Sequence, residues 1–332
     1  MAIPGPFLWK TNRVLNPVAF TPAQVAKLRA SVPGFDTMGV ALVDVTKLST
    51  TAYASNFTQT GFAASLPKIV AMYAAFYLQD RLKIIKGALG TASLAQIEST
   101  LRKEWGPAIK STVPHRAGDF PDITAIFASP SFDFKSSFKN DLDAMMKKSD
   151  NLAAGRCIHR IGYDYMNGAL TYGGLYSPAD KSGFWLAGDY IPDSHASNRE
   201  GARIPGMGTG QAASAKAAAL LLVNLAHDEL ISADASKGMK DVMTNAYSWV
   251  RYEMEVAHPG ATVYGKLGLM GGAKGSTHDC AIVKHGDAHY VVVTLFGGAY
   301  GLEPLFVELD RIAQELFRFR KLVEFGLSII RP

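Results

Sequence analysis

Segments with β character stand near both ends of this chain and helical periodicity fills the middle, an order that leaves few folds open. Residues 38–44 (MGVALVD) and 50–54 are short β-rich runs joined by a turn at 44–48, and a short helix at 22–31 precedes them. Thr21 stands as its N-cap, with Pro22 at the first helical position. Toward the other end, 262–268, 277–285 and 289–297 read as strands, the last two joined by a tight Gly286-Asp287 turn, and 303–330 as an amphipathic helix. Strands so far apart in sequence bury their faces together by forming one antiparallel sheet from both termini, covered by the terminal helices. The expected class is therefore α+β, with a sheet lobe from 20–62 and 235–330 and an all-helical lobe at 63–234. In the middle, 64–82 carries apolar residues at helical spacing, and further helices are expected at 93–104, 137–148, 152–161, 212–227 and 235–253. Residues 162–210, rich in Gly, Pro, Ser, Asp and Tyr, read as a long ordered loop, and loops that long are usually functional. A cleft between the lobes is the natural place for a site.

Composition removes several classes of function. Of 332 residues, 48% are hydrophobic and 19% charged, which excludes a disordered or collagen-like chain. The longest apolar stretch, 217–223, ends at Asn224, well short of the roughly 20 residues of a membrane span. A net charge of +5 comes from basic residues scattered along the chain, without a Lys/Arg block or a nucleic-acid motif, so nucleic acid is not an expected partner. No basic flank and apolar core mark a signal peptide, so the compartment is open: cytoplasmic, or exported with its signal removed. The two cysteines, Cys157 and Cys280, are too few for a disulfide framework and read as buried hydrophobes.

Three short motifs carry chemistry. Ser65-Leu66-Pro67-Lys68 opens the long central helix, where a serine and a lysine three residues apart share a face. Such a lysine can activate the hydroxyl without a histidine. Its neighbours Ile69, Val70, Met72, Ala74 and Ala75 make Lys68 an expensive choice for a purely structural position. Ser149-Asp150-Asn151 lies between two helices, where Ser149 or Asp150 can cap the second. Lys266-Leu267-Gly268 ends a strand, and the glycine permits close approach to the strand edge. Each motif alone is weak; their order and the elements that carry them are what count.

Together these motifs resemble the active-site elements of the serine β-lactamase and penicillin-binding-protein superfamily, class A β-lactamases most closely. The resemblance implies a β-lactamase/transpeptidase-like fold in which Ser65 is the acylated nucleophile and Lys68 its base. Ser149 would relay a proton to the leaving group, Asn151 would bind a substrate amide, and Lys266 would set the electrostatics near Ser149. The oxyanion hole would combine the backbone N–H of Ser65 with one just after Gly268, taken as that of Met270. Asp279 falls where the family often has an Asn-Asp turn. The serines are 149 − 65 = 84 residues apart, a wide spacing that implies an insertion between Gly90 and Phe134. Leu267 replaces the hydroxyl residue expected to hold a substrate carboxylate. No clear deacylating glutamate is present; the nearest candidate is Glu200.

The expected activity is thus a serine hydrolase acting on an amide, β-lactam or ester carbonyl of a small-molecule or peptide-like substrate, without metal or cofactor. An esterase, amidase or transpeptidase without lactamase activity, or a non-catalytic binding protein that keeps the fold, are the alternatives. His278, His285 and His289 with Cys280 and Asp279 invite a metal reading; strand alternation puts His278 and Cys280 on one face, but His285 lies at a hairpin end, so surface or supporting histidines are expected. The Gly206–Gly210 run lacks the spacing of a nucleotide loop. Aromatic residues of the 162–210 stretch, Tyr163, Tyr165, Tyr172, Tyr176, Phe184, Trp185 and Tyr190, read as a substrate wall or as core. The oligomeric state is left open.

Overall fold

The computed structural model describes residues 9–46, 48, 50–109, 120–188, 190, 210–271, 275–298 and 302–329, with side chains except at 104–109 and 318–329. Elements are numbered in chain order. A six-stranded sheet runs β1 (Asn16–Ala19), β3 (Thr51–Ser55), β2 (Gly39–Asp44), β13 (Ala288–Gly297), β12 (Ser276–His285), β11 (Thr262–Met270). Every pairing is antiparallel except that of β1 with β3. The junction of the two ends is β2 against β13, in the register Val43↔Val291 and Ala41↔Val293. Every residue of β2 is buried, which is why it reads as an unbroken apolar run and not as an alternating one.

The two faces of the sheet feed two cores. Val40, Leu42, Ala281, Val283, Tyr290 and Val292 pack with α1 (Pro22–Ser31), α10 (Trp249–Ala257) and α11 (Glu303–Ile329). Their strand neighbours Ala41, Val43, Cys280, Ile282, Val291 and Val293 face the other way, onto α8 (Ala215–Ala226). That second core continues into a helical cluster around α2 (Lys68–Leu89), which touches α3 (Leu94–Ile109), α5 (Ser136–Lys147), α6 (Asn151–Ile161), α7 (Tyr163–Gly173) and α9 (Ala233–Met243). Smaller pieces complete the chain. A three-stranded sheet joins β4 (Thr60–Phe62), β10 (Gln211–Ser214) and β9 (Trp185–Leu186). Two hairpins pair β5 (Phe127–Ala128) with β6 (Asp133–Phe134) and β7 (Tyr176–Ser177) with β8 (Ser182–Gly183), and α4 is Ile123–Ile126. Thus the wide spacing between the serines holds α3, α4, β5 and β6.

Several boundaries differ from expectation for local reasons. The stretch 162–210 is not all loop: α7 occupies its start, burying Tyr165, Met166, Ala169 and Leu170 between a glycine at each end. Gly174, at φ +75°, takes the left-handed turn that stops the helix. Helix 235–253 is really two, because Ser248 starts α10 by accepting from the Arg251 N–H, and Asn245 turns left-handed ahead of it. Residues 211–214 form β10 before α8 begins at its Ser214 cap. The edge strand β1, exposed throughout, carries no core pattern that could announce it.

Candidate active site

Ser65 sits in the tight turn that feeds α2. The turn is closed by i→i+3 bonds from the Leu66, Lys68 and Ile69 amides to the carbonyls of Ala63, Ser65 and Leu66, so α2 proper starts at Lys68, four residues later than the apolar pattern predicts. Ala64 has φ +46°, a conformation unfavourable for any residue with a Cβ. The strain stands immediately before the serine, which is where functional sites concentrate it. Ser65 precedes the N-terminal end of a 22-residue helix, whose partial positive charge favours developing negative charge.

Four of the expected residues converge on one another. Lys68 Nζ donates to the Ser149 carbonyl at 2.6 Å, to the Asn151 Oδ1 at 2.6 Å and weakly to the Ser149 Oγ at 3.4 Å. Lys266 Nζ donates to the same Ser149 Oγ at 2.9 Å and to the Leu267 carbonyl. Ser149 is therefore held between two buried lysines. Its φ of +56° is again left-handed. Asp150 takes over the capping of α6, accepting from the Ala153 N–H at 2.7 Å, which releases Ser149 and Asn151 to face the lysines. Both amines are pulled below the ordinary lysine range: Lys68 to about 7, by burial first and by the Lys266 charge second, and Lys266 to about 8, by burial. Among the described residues, the hydrogen bonds of Lys68 go to Ser149 and Asn151 and not to Ser65. With three acceptors around it, this is the arrangement of the protonated amine.

The third motif lies on the edge strand. Gly268 faces the Ser65 turn so closely that a Cβ there would stand 2.5 Å from the Ala63 carbonyl and 2.8 Å from the Leu66 nitrogen. This glycine brings β11 against the turn that holds Ser65. Leu267 donates its N–H outward, to the Tyr247 carbonyl, while the ladder to β12 runs without a register shift through Gly268↔His278, Leu269↔Thr277 and Met270↔Ser276. Backbone groups alternate along a strand. The outward donor beyond Gly268 is thus Leu269, and the Met270 N–H, expected from the sequence, turns toward β12. Leu267 itself is 3% exposed, and the Met270 side chain is at the surface. Asp279 lies in mid-strand, opposite Leu267, and in no turn. Its carboxylate accepts from the Ser248 hydroxyl at 3.0 Å and from the Trp249 amide at 2.6 Å, at the start of α10. Burial nevertheless raises it to about 7. A buried carboxylate on the strand next to β11 supports the positive charge of Lys266, which it raises against the pull of burial.

The family model described as "Beta-lactamase enzyme family" matches residues 106–318, a span that contains Ser149, Asn151 and Lys266 and begins after the Ser65 turn. The chain belongs to the beta-lactamase enzyme family. The solved structure of PBP-A is similar over 93% of this chain and 100% of its own, at 16% identity and a TM-score of 0.56. The TLA-3 extended-spectrum beta-lactamase is similar over 90% and 99%, at 12% identity and TM-score 0.58. A class A beta-lactamase from Mycobacterium abscessus is similar over 89% and 98%, at 15% identity and TM-score 0.53. Identities this low speak for the fold alone. No curated protein matches the chain by sequence.

In this beta-lactamase family member Glu200 lies outside the described residues. The residue over the lysine is Tyr190, whose ring centroid is 4.5 Å from Lys68 Nζ and whose hydroxyl donates to the Ala64 carbonyl at 3.0 Å. One side chain thus fixes the strained residue before Ser65 and covers the Lys68 amine. The sequence places Tyr190 among many aromatics of one stretch and offers no mark that separates it. His278, read from sequence as a surface or supporting histidine, is fully buried and held neutral, its pKa lowered to about 3 by burial. Its Nδ1 accepts from the Phe296 amide at 3.1 Å, which leaves Nε2–H for the Ser276 hydroxyl at 2.7 Å.

Proposed function

We propose that the protein is a serine acyl-transfer enzyme in which the Ser65 Oγ attacks an amide, β-lactam or ester carbonyl. The observation that carries this reading is the chain of contacts Lys68–Ser149–Lys266, with both amines buried and titrating far below free lysine. A structural role would not need two cations on one hydroxyl. In the reaction, neutral Lys68 takes the Ser65 proton as the Oγ–C bond forms, and the carbonyl electron pair moves to oxygen. The amides of Ser65 and Leu269 receive that oxyanion. When the tetrahedral intermediate collapses, the C–N or C–O bond breaks and the leaving group takes a proton from Ser149, which is resupplied from the protonated Lys68. Lys266 stabilises the charge that passes through Ser149, and Asn151 orients Lys68 and presents its amide nitrogen to the substrate. Glu200 is a candidate for activating the water that releases the acyl group.

Leu267 supports an ester or amide substrate without a carboxylate over a penicillin-like one, because no hydroxyl stands at that position to receive the charge. The test is intact-protein mass spectrometry after incubation with a fluorescent penicillin and, separately, with a fluorophosphonate, for the wild type and Ser65→Ala. Adducts with either probe that vanish in Ser65→Ala are expected. Adducts from both probes point to a lactam-compatible cleft, and the fluorophosphonate alone to an esterase or amidase. Absence of any Ser65 adduct sinks the enzyme reading in favour of a binding protein that keeps the fold.

A further inference from the structure

Away from the serine site, two histidines converge on one carboxylate. His258, at the end of α10, and His285, the last residue of β12, stack ring on ring, with centroids 3.8 Å apart and planes 9° from parallel. Both present Nε2 to Asp310 of α11, at 2.8 Å to Oδ2 and 3.2 Å to Oδ1. The three ligand atoms lie within 4.8 Å of one another. Asp310 is in turn fixed by the Tyr290 hydroxyl at 2.6 Å and by the Gln314 amide at 2.7 Å. The sequence hides this cluster: its members are 25 and 52 residues from Asp310, on three different elements.

We propose that His258, His285 and Asp310 bind a divalent transition-metal ion of the zinc class. Two imidazoles and a carboxylate are the donor set such ions prefer, and a hydrogen-bonded carboxylate is how protein sites orient their ligands. Donors at about 2.0–2.1 Å from a tetrahedral ion stand roughly 3.3 Å apart, close to the observed spacing, and binding requires one of the two nearly parallel rings to turn out of the stack so that both Nε2 lone pairs meet the ion. The His258 side chain is 26% exposed and that of His285 10%, so the ion and a water as fourth ligand approach from the His258 side. His285 is six residues along β12 from Asp279, roughly 20 Å at the strand rise. The ion therefore takes no part in acyl transfer. It is a staple that ties α10, β12 and α11 together at the end of the sheet away from Ser65, and its expected consequence is stabilisation.

The experiment uses untagged, chelator-treated full-length protein. Cobalt(II) titration is expected to give visible ligand-field bands that saturate at one ion per chain and are displaced by zinc, and zinc is expected to raise the Tm by several degrees. In His258→Ala/His285→Ala both responses are expected to disappear. A wild type without bands or Tm shift overturns the proposal, as does an equal response in the double variant, which would assign binding to the other histidines. If the double variant differs from the wild type in circular dichroism, His258→Gln decides in its place. At least tenfold weaker cobalt binding supports the site, and unchanged binding overturns it.

Discussion

Lys68 and Lys266 share the Ser149 hydroxyl between them, so neither titrates independently. If acylation needs neutral Lys68, the rate of Ser65 labelling by a fluorophosphonate rises with pH through an apparent pKa of about 7 and levels off above it. The second cation contributes to that low value. Replacing Lys266 with glutamine removes a positive charge, which makes the protonated form of Lys68 easier to keep. The acid limb of the pH profile is therefore expected to move to higher pH in Lys266→Gln. An acid limb that stays in place would show that burial alone sets the Lys68 pKa. Both lysines were legible in the sequence, Lys68 because an ammonium among Ile69, Val70 and Met72 needs a reason, Lys266 only through its place in a three-part pattern. Asp150 and Ser149 were not separable there, since either can cap a helix; the bond from the Ala153 N–H to the Asp150 carboxylate decides it. Tyr190 was not legible at all, because its role depends on where its ring lands.

At the scale of elements, the site depends on how closely β11 approaches the turn before α2. Gly268 sets that distance. An alanine there would place its Cβ 2.5 Å from the Ala63 carbonyl and 3.0 Å from the Leu66 Cβ, and backbone cannot rotate away as a side chain would. Gly268→Ala is expected to destabilise the fold by about 1–3 kcal/mol, the usual cost of overpacking. It is expected to slow Ser65 labelling by roughly 100-fold, because the Leu269 amide would move away from the oxyanion position. Denaturant unfolding and labelling kinetics on the same variant check the two effects separately. Labelling at the wild-type rate would remove β11 from the oxyanion hole. The element order, and most helices, could be read from periodicity, since α1, α5 and α6 begin within a residue of their expected starts. What misled was composition: glycine and tyrosine in 163–173 suggested a loop, although Tyr165, Met166, Ala169 and Leu170 already marked a buried helical face. The resemblance points to the Met270 amide for the oxyanion hole; the alternation of β11 turns that amide toward β12 and the Leu269 amide outward, and only the Tyr247 contact fixes the phase.

At the scale of the molecule, the site is assembled from parts that share one core. Ser65 belongs to the turn before α2 and Lys68 to its first residue, Ser149 and Asn151 to the α5–α6 junction, and Lys266 to the edge of a sheet whose centre joins residues 39–44 to residues 290–295. The apolar cluster beneath them runs from Ile69, Val70 and Met72 through Met145 and Met146 to Leu221, Ile282, Val291 and Val293 without a break. A cleft hinged between independent lobes would let the sheet loosen before the helices. A continuous core binds their stabilities together. Urea titration is therefore expected to abolish Ser65 labelling, near-UV circular dichroism and far-UV circular dichroism at one midpoint. Val293→Ala, on the inner face of the sheet, is expected to shift all three equally, by the roughly 1–3 kcal/mol of a buried large-to-small change. Labelling that disappears at lower urea than the far-UV signal would mean that the sheet edge parts from α2 while the helical cluster still stands.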